Sequence, residues 1–81
     1  NKRSFTLTGN ATLNAEANPD DCYAGCEWYI TPNGYTLSLN ETLFKKVIDS
    51  GDWSTTAMNI VCMSRNGDDG IVDVFITQRG A

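Results

Sequence analysis

Histidine is absent from the chain. Without it no side chain titrates near neutrality by default, and neither a Ser-His-Asp nor a Cys-His arrangement can be assembled. Long apolar runs are also missing: the stretches present are of the kind Val47-Ile48 and Val74-Phe75-Ile76, whereas a bilayer-spanning helix needs about 20 apolar residues in succession. No membrane span is expected. Basic residues are few, six against ten acidic ones for a formal charge of −4, and they are scattered as Lys2-Arg3, Lys45-Lys46, Arg65 and Arg79. Phosphate contacts dominate nucleic-acid affinity, so a chain without a basic stripe is not expected to take nucleic acid as its main partner. An anionic membrane surface is disfavoured on the same ground.

With 81 residues there is room for one core only. Charged residues at 20% are too few for a self-repelling disordered chain, and residues 1–81 read as a single small, acidic α+β domain. The first residue is Asn1 rather than Met, as expected of a processed or trimmed chain, which is compatible with secretion.

The order of elements follows from periodicity. Phe5, Leu7, Gly9, Ala11, Leu13 and Ala15 alternate with polar residues, predicting one long half-buried strand that stops at Asn18-Pro19-Asp20-Asp21. Glu27 to Leu39, interrupted at Pro32-Asn33-Gly34, reads as a hairpin, because asparagine and glycine tolerate the positive φ of tight turns. From Asn40, Leu43, Phe44, Val47 and Ile48 recur at helical spacing, with Ser38 or Asn40 as cap and Gly51 at the far end. The β-branched stretch Thr55 to Ser64, the turn formers Arg65 to Gly70 and the run Ile71 to Thr77 predict a second hairpin. The expected fold is therefore about five mainly antiparallel strands with one amphipathic helix packed across one face.

Three cysteines, Cys22, Cys26 and Cys62, allow one long-range disulfide. Cys26 to Cys62 is preferred because Cys26 adjoins the strand carrying Trp28 and Ile30, with Cys22 to Cys62 as the alternative and three reduced thiols as the plainer reading. Closing a loop of that length stabilises by roughly 4 kcal/mol in the chain-entropy model, comparable to the whole stability of so small a domain. An odd count leaves one sulfur for a partner chain, covalent or not, or for a free thiol. Zinc is not expected, since Cys22-x-x-x-Cys26 lacks a sound fourth ligand. Asn10-Ala11-Thr12 and Asn40-Glu41-Thr42 match the N-glycosylation acceptor pattern, which also arises often by chance.

Catalysis would have to rest on carboxylates. Glu16, Asp20, Asp21, Glu27 and Asp73 are the candidates for an acid–base pair, yet their spacing singles out no two, and Asp68-Asp69 lacks the spaced ligands of a calcium loop. No catalytic residue, metal or cofactor is assigned. The aromatics Trp28, Tyr29, Tyr35 and Trp53 are the candidate binding residues, as tryptophan and tyrosine anchor interfaces. Period two sets Trp28 and Tyr29 on opposite faces, and Trp53 is also explained by packing at the helix end.

Lys2-Arg3, like a dibasic processing site, the separation of Cys26 from Cys62, and Cys26-Glu27-Trp28-Tyr29 leading into a strand resemble features of small secreted fungal effector and killer-toxin proteins. That resemblance implies a secreted, non-enzymatic protein acting by binding a target protein. Two other expectations stand beside it: a periplasmic bacterial immunity or inhibitor domain that neutralises a basic partner, and a small carboxylate-dependent hydrolase. All three place the chain outside the cytosol or leave its compartment open.

Overall fold

In the computed structural model, residues 2–13, 25–65 and 70–80 are described. They form seven strands: β1 (Lys2–Thr6), β2 (Ala11–Leu13), β3 (Cys26–Thr31), β4 (Leu37–Leu39), β5 (Phe44–Lys46), β6 (Asn59–Arg65) and β7 (Val72–Gln78). Five make one sheet in the order β1-β3-β6-β7-β5, and β2 pairs with β4 in a second. The large sheet is mixed. β6 is antiparallel to β3 and β7, while the edge strands β1 and β5 run parallel to β3 and β7.

Alternation along the central strands sorts the two faces. Trp28 and Ile30 on β3, Val61 and Met63 on β6, and Val72, Val74 and Ile76 on β7 are buried, joined by Leu7 and Phe44. Half-buried Leu13, Leu37 and Leu39 of the small sheet pack onto them, with Leu43 and Trp53. This makes a two-layer sandwich. Each such apolar side chain, once covered, contributes about 1.5–3 kcal/mol relative to staying exposed.

The expected α+β fold with a docked helix is overturned, for among the described residues there is no helix. The helix signal at residues 40–51 produces a single turn instead. The Asn40 carboxamide oxygen accepts from the Thr42 N–H at 3.0 Å, and the Asn40 carbonyl accepts from Phe44 N–H at 2.9 Å. The chain then extends into β5, because an isolated helix of so few residues is marginal and parallel pairing with β7 buries Phe44. The supposed apolar stripe is split: Phe44 is in the core whereas Ile48 is wholly exposed. Gly51 serves a close approach rather than a helix end, since a Cβ there would lie 3.0 Å from the Ile76 carbonyl oxygen.

Two further expectations are corrected. The turn at Pro32-Asn33-Gly34 forms, with φ of 53° and 85° at Asn33 and Gly34 and Tyr35 N–H donating to the Pro32 carbonyl at 2.9 Å. It makes no hairpin, because both edges of β3 are taken by β1 and β6, which sends β4 to the other sheet. The long first strand breaks between Leu7, buried in the core, and Ala11, crossing from one sheet to the other. The strand pair expected after Trp53 is present as β6 and β7, in register from Asn59↔Gln78 to Arg65↔Val72. The turn at Asn18-Pro19-Asp20-Asp21, the residue Ala15 and positions 66–69 of the last turn lie outside the described residues.

The one fully buried polar side chain among the described core residues is Asn59. Its Oδ1 accepts from Ser54 N–H and from Gln78 Nε2, both at 2.9 Å, and its Nδ2 donates to the carbonyls of Ser54 at 2.8 Å and Ala57 at 3.3 Å. Both donors and both lone-pair sites of the amide are thus used. Gln78 Nε2 also donates to the Asp52 carbonyl at 2.8 Å, so the loop before β6 is fastened at two points. Asn59→Ala should cost about 3 kcal/mol in urea denaturation, because it strands several buried partners at once. Asp52→Ala, which removes only the exposed pair with Lys46 at 3.1 Å, should cost less than about 1 kcal/mol.

Candidate functional site

The outer face of the large sheet is covered by no described element. Register places Lys2 beside Glu27, Glu27 beside Cys62 and Cys62 beside Phe75. Val47 N–H donates to the Val74 carbonyl at 2.9 Å, which continues the row to the far edge. These five residues line a shallow trough of about 430 Å³, with Ser64 and Asp73 along one side. The trough is charged at its β1 end, carries half-buried Cys62 in the middle and is apolar at its β5 end, where Phe75 is 38% exposed.

A second row lies next to it, with Tyr29 opposite Ile60 and Ile60 opposite Thr77. The Tyr29 hydroxyl donates to Glu27 Oε2 at 2.9 Å, and the Arg79 guanidinium sits 5.6 Å from the Tyr29 ring centroid. That hydrogen bond to Glu27 raises the Tyr29 phenol above its ordinary 10.0, helped by desolvation and by the Glu27 charge and opposed by Arg79. The group is held neutral. It contributes a polar tip on an apolar body, the kind of side chain suited to a surface that is alternately wet and covered.

The four aromatics singled out in the sequence are dispersed. Trp28, at 8% exposure, belongs to the core, where Phe5 meets it edge-on at 5.6 Å between ring centroids. Tyr29 is on the outer face. Tyr35 and Trp53 meet elsewhere, Trp53 Nε1 donating to the Tyr35 carbonyl at 2.9 Å, with Trp53 half-buried against the core. Phe75, Ile60 and Val47 are not among the expected binding residues, and within the apolar run Val74-Phe75-Ile76 it is the pairing of β7 that turns Phe75 outward.

Of the acidic candidates, Glu16, Asp20 and Asp21 lie outside the described residues, as do Asp68 and Asp69. Glu27 and Asp73 both border the trough but stand on β3 and β7, with β6 between them. The acidic side chains among the described residues are Glu27, Glu41, Asp49, Asp52 and Asp73, in a chain whose formal charge is −4. Among the described residues no group of three or more acidic or cysteine side chains could hold a metal ion. No helix there is long and apolar enough to cross a membrane. Cys22 and the side chain of Cys26 lie outside the described parts, and the main-chain register sets Cys62 opposite Glu27 and Cys26 opposite Met63. Of the glycosylation candidates, Asn10 is exposed and its Oδ1 accepts from Thr36 N–H at 3.0 Å, while Asn40 is half-buried at the turn described above.

Comparison with known proteins finds no family model that matches the chain, no curated protein similar in sequence and no solved structure similar in fold.

The Tyr29–Glu27 bond gives a pH signature. Because the phenol is raised relative to the unfolded chain, its contribution to stability is present below about pH 10 and is lost as the pH climbs through the folded value. Glu27→Gln should bring the Tyr29 titration down towards 10.0, read from the tyrosinate absorbance band. An unchanged titration would mean that Glu27 is not its controlling neighbour.

Proposed function

We propose that the chain is a secreted, non-enzymatic interaction protein of the effector, toxin-subunit or inhibitor kind, and that it grips a protein target with the outer face of its large sheet. The observation that carries this reading is the row of Val47, Phe75 and Cys62, flanked by Ile60 and Tyr29, which no described element covers. Ile48, wholly exposed, follows Val47 directly and extends the apolar end. An apolar strip rimmed by Lys2, Glu27, Asp73 and Arg79 has the make-up of a recognition surface, with anchors at the centre and polar groups around them.

The reading as an inhibitor of a basic partner would need carboxylates gathered on one face. On this face the signs alternate, Lys2 beside Glu27 and Lys45 beside Asp73, which favours a target of mixed charge. Extracytoplasmic location and a disulfide from Cys26 or Cys22 to Cys62 belong to the same proposal. Cys26 is the preferred partner of Cys62 in this reading, with Cys22 as the alternative. A partner chain attached through the remaining sulfur stays part of the proposal, and mass measurement with and without reductant counts the thiols.

Phe75→Asp should weaken target binding by about tenfold or more while the thermal transition stays close to that of the parent, because the side chain points away from the core. Ile48→Asp should act in the same direction, more weakly. If both variants bind the target as the parent does, the outer face is not the contact surface.

A further inference from the structure

The sandwich has a second concavity on its other side, between β4 and β5. Its volume is about 550 Å³, within the range of preformed binding sites. Leu37, Leu39, Phe44, Trp53 and Ile76 make it apolar. The indole of Trp53 is fixed by its bond to the Tyr35 carbonyl, so that wall is set in place before anything binds.

The main chain of β4 supplies what the side chains do not. In the β2–β4 ladder, Ala11 N–H donates to the Thr36 carbonyl and Asn40 N–H donates to the Leu13 carbonyl. A parallel strand turns alternate residues to alternate sides. Thr36, Ser38 and Asn40 therefore serve β2, while the peptide groups of Leu37 and Leu39 face the other way, where no described strand pairs with them. β4 reads Leu-Ser-Leu, without the lysine or proline that usually guards an open edge. Across the groove, β5 does carry Lys45 and Lys46. Lys46, on the same side of β5 as Phe44, is engaged by Asp52, while Lys45 is set beside Asp73 on the outer face, and exposed Glu41 lines the groove at the turn between β4 and β5.

We propose that this groove takes an extended polypeptide strand of a partner protein, which adds a third strand to the small sheet along β4. Its main chain pairs with Leu37 and Leu39, and alternate apolar side chains rest on Phe44, Trp53 and Ile76. A basic side chain of the strand meets Glu41 at the end of the groove, which favours one direction of the strand over the other. A row of peptide donors and acceptors selects a polypeptide over an apolar small molecule, which would cover those groups without bonding to them. The site is separate from the outer face and does not depend on it.

The test uses a synthetic peptide that alternates valine with threonine and carries one lysine at a polar position near one end. Amide exchange and chemical shifts of the protein are followed during titration. The free protein should show fast exchange at Leu37 and Leu39, and the peptide should slow both. Leu39→Lys should weaken binding by about tenfold or more, Glu41→Lys should weaken it unless the peptide's lysine is also changed to glutamate, and Phe75→Asp should leave it unchanged. The proposal is overturned if the peptide does not bind, if the shifts gather around Phe75 and Ile60, or if a peptide with its amides N-methylated along the paired edge binds equally well. The Phe75→Asp arm separates the fate of this groove from that of the outer face.

Discussion

The carboxamide of Asn59 holds the arrangement on which the other features rest. It is a polar group at the start of the central strand β6, cut off from water, and every one of its hydrogen-bonding positions is met by Ser54, Ala57 or Gln78. A buried amide with even one position unmet would cost more than the pair of bonds gains, so the site tolerates only one register. With Asn59 opposite Gln78, the alternation of β6 and β7 is set along their whole length. Slipping by one residue would turn Val61, Met63, Val74 and Ile76 out of the core.

That register also decides which side chains face outward. Once Val61, Met63, Val72, Val74 and Ile76 are committed inward, Ile60, Cys62 and Phe75 have no alternative but the outer side. The same loop that Asn59 fastens carries Trp53, which closes one wall of the groove beside β4. Two surfaces of different character thus follow from one buried side chain, an outer face that carries the proposed target contacts and a strand edge that no described strand pairs.

How much of this the sequence disclosed depends on range. Features governed by neighbours along the chain are legible: the strand expected at Ile71 to Thr77, the positive φ at Asn33 and Gly34, and the opposite orientation of Trp28 and Tyr29. Features governed by which strands meet are not. Nothing local tells that β3 is flanked on both edges, so the residues of this turn fit a hairpin equally well. Leu43, Phe44, Val47 and Ile48 satisfy a helical period as well as they satisfy a turn followed by a three-residue strand, and only pairing with β7 decides between them. The candidate site was visible in part through Tyr29, while Phe75 was hidden among buried neighbours in a short apolar run.

A solvent-accessibility footprint along β7, taken with and without the bound target, tests the central claim most directly. Phe75 and Thr77 should be open to a water-borne probe in the free protein and shielded in the complex, while Val74 and Ile76 stay silent in both states. A complex in which Phe75 remains as open as before, with protection appearing on residues remote from the large sheet's outer face, would contradict the account.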